Sequence, residues 1–306
     1  MSHPNEYDIA RAATYRFFAR FFLSEPDAAW LEALTNAEPF SRFSSSNPHE
    51  LRIEFTRLFT LNVFPYPSVF LDSEAFLNTE TTAHVQAAYE QAEFQPPPGL
   101  AVGAPDHYGL ELMFVAHLLE TGREPLANVF LSEEILPWAV VFLHAVEKNA
   151  REDYYRVAAQ EVRAWLMNDL ASPPIMPRSD SLSSVLTDED DLDSIVTRLV
   201  TPAQSGIFLS KDDISSLARE LELPVSFGDR GLALRSLFQA AGEYEHVEDL
   251  LQALSELTET WMGYYLQDAR TSPGMALISE LWMKRAVSTR DQLKELSRIA
   301  HQKFIT

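Results

Sequence analysis

Apolar residues recur every three or four positions along most of this chain. Between residues 7 and 22, Tyr7, Ala10, Ala13, Phe17, Phe18 and Phe21 keep that spacing, which predicts a helix with an aromatic face. The SEPD at 24–27 predicts a stop and a restart, with Ser24 as the cap, Asp27 at the capping-box position, and Trp30, Leu31 and Leu34 next. Leu51, Phe55, Leu58 and Phe59 form one stripe over 48–60, and Val85, Ala88 and Tyr89 another over 80–92. From Asp106 to about Leu119 the apolar residues Tyr108, Leu112, Val115, Leu118 and Leu119 face one way. Residues 125–148 predict two helical pieces joined near Pro137, the second carrying Trp138, Val141, Phe142 and Val146. Tyr155, Ala158, Val162, Trp165 and Leu166 continue the pattern. Beyond about Thr201 it resumes, first behind a capping box of Ser210 and Asp213, then over 231–244, 246–266, 275–286 and 290–304. Alternation of period two is nearly absent, so the predicted fold class is all-α.

The interruptions are as informative as the periodicity. In FPYPSVFLDSE, residues 64–74, Pro65 and Pro67 each fix φ and remove an amide donor, while Phe64 and Tyr66 before them are pushed towards extended geometry. This reads as a stiff, non-helical strip whose Phe64, Tyr66, Val69 and Phe70 either close a core or line an apolar groove. QPPPGLAVGAP, 95–105, is a loop by composition. ASPPIMPRSDSLSSVLTDEDDLDS, 171–194, is rich in proline, serine and aspartate and divides the chain. The expected organisation is a helical bundle over 1–172, a linker or crossing over 173–200, and a C-terminal helical region over 201–306. No internal repeat links the halves.

A chain of 306 residues has room for one large or two ordinary domains. It holds no cysteine, which removes disulfides, thiolate metal sites and cysteine nucleophiles together and suits a reducing compartment. Arg16 and Arg20 interrupt the first aromatic cluster and Glu6 and Asp8 precede it, unlike a secretory signal. No uninterrupted apolar run reaches the length of a membrane span, so no stable membrane insertion is expected, and a cytoplasmic location is. Net charge is −21, from 45 acidic against 24 basic residues, and such a surface repels nucleic acid and anionic membranes.

One stretch gathers polar chemistry. In PDHYGLE, 105–111, Asp106 is placed to cap the next helix, and His107 and Glu111, four apart, share a face. A metal-dependent hydrolase built on Asp106, His107 and Glu111 needs further ligands. The other histidines, 3, 49, 84, 117, 144, 246 and 301, show neither HxH nor HExxH spacing. The acidic run TDEDDLDS, 187–194, lacks the glycine and closing glutamate of a calcium loop and reads as a linker or helix start. No dinucleotide, phosphate-loop or nucleophile-elbow motif occurs. The expectation is a protein without catalysis, cofactor or metal.

Three ordered blocks, EFTRLFTLNVFPYPSVFLD (54–72), APDHYGLELMFVAHLLETGR (104–123) and ILPWAVVFLHAVEKNAREDYYRVAA (135–159), resemble the TorD/DmsD/NarJ family of cytoplasmic redox-enzyme chaperones. The opening RAATYRFFARFFLSEPD fits the same family's first helix, and the resemblance covers roughly residues 5–170. It implies a helical bundle that binds the twin-arginine signal peptide of a molybdopterin oxidoreductase precursor until the cofactor is inserted. It also implies a peptide-binding region of Pro65, Tyr66, Ser68, Val69 and Phe70 in the first block and Asp106, His107 and Gly109 in the second, with Pro137 and Trp138 as supports in the third. A leader with paired guanidiniums and an apolar stretch calls for carboxylates beside an apolar groove, Asp106 first, then Glu54 and Asp72. Many relatives carry a histidine before LPW, where this chain has SEEI. The family's nucleotide binding finds no phosphate loop here. The alternative function is a helical adaptor that grips the mature redox subunit and ignores its leader.

Overall fold

The structure, a computed structural model, describes residues 4–72, 80–100, 102–169 and 191–305. Among them there is no strand, and the chain forms two compact units, Met1–Pro177 and Arg178–Thr306.

In the N-terminal unit α1, Glu6–Leu23, starts at Asn5, whose side chain accepts the Asp8 amide at 2.8 Å. It buries Ala12, Tyr15, Phe18, Ala19, Phe21 and Phe22. Of the face read from the spacing, Phe18 and Phe21 are buried and Phe17 is half-buried, but Tyr7, Ala10 and Ala13 are exposed, so the buried face is turned towards Tyr15 and Phe22. At SEPD the cap is Asp27 and not Ser24: Asp27 accepts the Trp30 amide at 2.8 Å and opens α2, Ala28–Ala33, while Ser24 ends α1. Pro26 accounts for the shift, because it holds Glu25 extended and delays the restart. Then come α3, Pro48–Phe55, α4, Pro67–Leu71, and α5, Glu80–Gln91. After them lie α6, Tyr108–Glu120, α7, Glu124–Phe130, α8, Leu136–Asn149, and α9, Asp153–Asn168.

Two of these helices run through the middle. α6 and α8 are apolar nearly all round, the mark of a core helix. Tyr108 of α6 meets Phe22, Phe142 and Trp138 at ring-centroid distances of 4.9, 5.1 and 5.4 Å, so α1, α6 and α8 share one aromatic centre. Residues 124–149 are long and apolar enough to cross a membrane, although charged residues break the apolar run, yet 83% of their most apolar 18-residue stretch is buried within the protein. α1 and α6 approach closely at Gly109, where a Cβ would stand 2.5 Å from Leu23 Cγ and 3.0 Å from the Ala19 carbonyl oxygen. Gly109→Ala is therefore expected to lower stability by about 1–3 kcal/mol, read as a drop in melting temperature by circular dichroism. An unchanged melting temperature would mean that α1 can move away at no cost.

Two wide turns of π-helix interrupt the predicted helices, at Thr56–Asn62 and at Leu131–Ile135. Pro137 explains the second: lacking an amide, it cannot bond the carbonyl of residue 133, and the Leu136 amide reaches back to Leu131 instead. In the first, the Val63 amide reaches Leu58 at 2.7 Å and the Asn62 side chain takes the Arg57 carbonyl at 3.0 Å. Each wide turn leads straight into a proline-containing segment.

Arg11 of α1 closes the unit. Its Nε lies 2.8 Å from Asp169 Oδ1, its Nη2 2.8 Å from Asp169 Oδ2 and 3.0 Å from Asn128 Oδ1, and the Tyr15 hydroxyl donates to Asp169 Oδ2 at 2.5 Å. α1, α7 and the end of α9 are thereby joined through one buried guanidinium.

The C-terminal unit has α10, Leu192–Val200, α11, Pro202–Ser205, α12, Lys211–Glu220, α13, Arg230–Glu243, α14, Val247–Thr271, and α15, Ala276–Ile305. Composition assigned 192–200 to a linker. Instead, Asp191 caps α10 through the Ser194 amide at 2.8 Å, and Val196 and Leu199 enter a core with Leu209, Leu234, Leu250, Leu254 and Leu293. Residues 170–190, with the first half of the acidic run, lie outside the described residues. The capping box at Ser210 and Asp213 forms as its spacing predicts. The stretches 275–286 and 290–304 are one helix, since neither proline nor glycine separates them. α14 and α15 form an antiparallel hairpin held at its surface by Lys294 to Glu259 at 2.8 Å and His301 to Glu248 at 3.0 Å.

Candidate functional site

The proline strip is extended only as far as Tyr66, which has φ −133° and ψ 131°; Pro67 then occupies the first turn of α4. The expectation of a wholly non-helical strip is thus corrected. Proline's fixed φ suits the first helical turn, where an amide would lack a partner anyway. The strip is tied to α6, because the Pro65 carbonyl accepts the Tyr108 amide at 2.8 Å.

His107, and not Asp106, caps α6. Its Nδ1 accepts the Gly109 amide at 3.1 Å, so the ring proton sits on Nε2. Burial lowers its pKa from 6.5 to about 3, and the ring stays neutral. Asp106, freed from capping, turns inward. It is fully buried and accepts the Thr82 hydroxyl at 3.0 Å. Burial raises its pKa, opposed by the Thr82 hydroxyl bond.

A second acid lies deeper. Glu111 is completely buried, and neither of its carboxylate oxygens finds a hydrogen bond. Burial pushes its pKa well above the usual carboxylate range, and the charges of Asp106 and Glu134 push it further. Tyr89 and Tyr108 feel Glu111, and burial raises both phenols well above their ordinary value. The hydroxyls of Ser68, Tyr89 and Tyr108, Oδ1 of Asp106 and Nε1 of Trp138 are likewise buried without a hydrogen bond. Polar atoms from α4, α5 and α6 are thus gathered around two acids, in a region where satisfied pairs are the norm. A protonated donor group, and above all a planar guanidinium, suits such a set, offering several N–H bonds and the charge that both acids lack.

Where this cluster comes nearest the surface, Tyr66 and His107 form its rim, 8% and 6% exposed. Their rings meet edge to face at 5.3 Å, and the Tyr66 hydroxyl accepts the Gly103 amide at 3.0 Å. Burial raises the Tyr66 pKa and the Asp106 charge adds to it, against the Gly103 amide.

The residues singled out in the sequence therefore fall into layers. Tyr66, Ser68, Asp106 and His107 surround the polar cluster. Val69 and Phe70 are core, Phe70 packing on Trp138 at 5.5 Å, and Pro65 and Pro137 are buried. Gly109 serves the α1–α6 contact. Asp72 is half-buried and accepts the Thr81 hydroxyl at 2.6 Å. Glu54 is engaged inside the unit by Arg57 at 2.7 Å and by the Arg151 amide at 2.7 Å, which removes it as a ligand contact. Sequence reasoning missed Tyr89, Thr82 and Glu134. It saw Glu111 only as a candidate metal ligand, and among the described residues no three acid or histidine side chains come together in a way that could hold a metal ion.

Residues 23–144, which hold the strip, α6 and the start of α8, match the family described as nitrate reductase delta subunit. The chain is also 26% identical over 151 residues to the Tat proofreading chaperone DmsD of Salmonella typhi, an alignment covering 45% of this chain and 70% of that protein.

Proposed function

We propose that this chain, whose residues 23–144 match the nitrate reductase delta subunit family and which is similar to a Tat proofreading chaperone, is a cytoplasmic, non-catalytic maturation chaperone of the TorD/DmsD/NarJ kind that holds the twin-arginine signal peptide of a molybdopterin oxidoreductase precursor. The observation that carries this reading is the buried acid pair Asp106 and Glu111, with both oxygens of Glu111 and Oδ1 of Asp106 left without a hydrogen bond, behind a rim of Tyr66 and His107. A leader guanidinium entering at that rim meets charge-assisted acceptors, each contributing ~1.5–3 kcal/mol. The apolar part of the leader then lies against the aromatic walls, and a preformed wall loses little entropy on binding. Val69, Phe70, Pro137 and Trp138 act from beneath, keeping the strip and α8 rigid.

The test is titration calorimetry of the whole chain with a synthetic twin-arginine leader. Replacing both arginines by glutamine is expected to abolish measurable binding. Asp106→Asn is expected to weaken it about tenfold, ~1.4 kcal/mol, with the melting temperature little changed. Equal affinity for the native and substituted leaders would remove the arginine contact. Equal capture of a leaderless oxidoreductase would transfer the function to the adaptor alternative, in which the mature subunit is what is gripped.

A further inference from the structure

A second anomaly lies in the C-terminal unit, outside the segment that carries the family likeness. Arg285 of α15 is 3% exposed, and its Nε is buried without a hydrogen bond. Among the described residues no carboxylate forms an ion pair with it, although the protein as a whole carries 45 acids. Asp268, the buried acid on the facing α14, acts on the Tyr265 phenol. Burial lowers the Arg285 pKa, and only the Tyr265 phenol works against that. A guanidinium taken this far out of water normally has an anion beside it, since desolvating a charge without compensation is strongly unfavourable.

The surroundings are organised. The guanidinium carbon lies 5.1 Å from the ring centroid of Trp282, three residues earlier on the same helix face. Four residues later on that face stands Thr289, fully buried, its hydroxyl without a hydrogen bond. Gly206 leans on the base of the side chain. A Cβ there would come within 2.6 Å of Arg285 Cβ, so the backbone packs against the arginine as no other residue could. The Tyr265 hydroxyl holds that loop by donating to the Gly206 carbonyl at 2.6 Å. Arg230, another arginine of this unit, stacks on Phe208 and donates to the Leu209 carbonyl at 3.3 Å; among the described residues Arg285 has no such acceptor.

We propose that Trp282, Arg285 and Thr289 form an oxyanion site in the C-terminal unit, which takes a carboxylate or phosphate group between the guanidinium fork and the threonine hydroxyl. The fork matches two oxygens of either group, the indole fixes its plane, and the hydroxyl supplies a third donor. The overall negative charge opposes non-specific anion binding, so occupancy depends on this local geometry.

Thermal melts of the full chain in acetate, inorganic phosphate or chloride at constant ionic strength test the site. Acetate or phosphate is expected to raise the melting temperature of the C-terminal unit by about 3 °C at roughly ten times its Kd, with chloride inert. Arg285→Met is expected to melt higher than wild type in chloride, because a buried charge is gone, and to lose the anion-dependent rise. Thr289→Val, which keeps its shape, is expected to weaken the response several-fold and decides the matter if the methionine variant does not fold. A response to acetate alone points to a peptide or small-molecule carboxylate, and a stronger response to phosphate to a phosphoryl group. The proposal is overturned if neither anion shifts wild type, if both variants keep the full shift, or if Arg285→Met melts lower in chloride.

Discussion

Asp169→Ala is expected to destabilise the N-terminal unit by about 3–5 kcal/mol, the largest effect of any single polar substitution in it. The substitution strands Arg11, which is buried and makes paired contacts with that carboxylate at 2.8 Å. It also deprives the Tyr15 hydroxyl of its acceptor. Asn128 Oδ1, at 3.0 Å from Arg11 Nη2, offers one neutral contact and cannot replace the charge. The companion measurement is Arg11→Met with Asp169→Leu: replacing both partners by apolar residues of similar size is expected to recover most of the loss. Urea unfolding of the two variants checks it. A single-site loss below about 1 kcal/mol would show that water reaches the pair and that it belongs with surface ion pairs.

The second large effect depends on pH. Glu111 has its folded-state pKa raised well above 4.5, first by burial and then by Asp106 and Glu134. The folded protein therefore keeps a proton that the unfolded chain gives up. That contribution to stability is complete below pH 4.5 and is lost as pH rises through the folded-state value, at about 1.4 kcal/mol per pH unit. Glu111→Gln is neutral at every pH, so its stability advantage over wild type is expected to widen as pH climbs. His107 works in the opposite sense. Its pKa falls from 6.5 to about 3, so the stability it contributes is present above pH 6.5 and is lost as pH drops towards 3. The N-terminal unit is thus expected to be most stable between these two losses. Urea midpoints for wild type and Glu111→Gln from about pH 4 to about pH 9 decide the point, and parallel curves would place Glu111 in contact with water. On the proposed function, the same substitution also weakens leader binding, because one of the two acids is gone.

Both effects arise from polar groups inside the protein, and that is where the sequence is hardest to read. The helical class is written in the three-and-four spacing of Phe17, Phe18 and Phe21, and of Leu112, Val115 and Leu119, because side chains one turn apart lie on one face whatever surrounds them. The capping box at Ser210 and Asp213 is equally local, needing only its own backbone. The stiffness of Pro65 and Pro67 is local too, although the start of α4 at Pro67 also depends on the helical turn that Ser68 to Leu71 complete.

Which acids belong together is not local. Asp106, Glu111 and Glu134 share one electrostatic environment only because α6 and the wide turn before α8 meet there, and that turn takes its shape from Pro137. Capping preference favoured Asp106 at the start of α6, but tertiary packing gave the cap to His107 and turned the carboxylate inward to Thr82. Periodicity carries direction around a helix axis and no information about depth. The sequence by itself therefore determined that this is an α-helical chain with a rigid aromatic strip and an acid beside it. Only the tertiary structure decided that Phe70 and Trp138 stand beneath the surface, that Glu54 is engaged elsewhere, and that the Glu111 carboxylate and Arg285 Nε are left inside without hydrogen bonds. Burial is a property of what packs against a residue, and those neighbours come from distant parts of the chain.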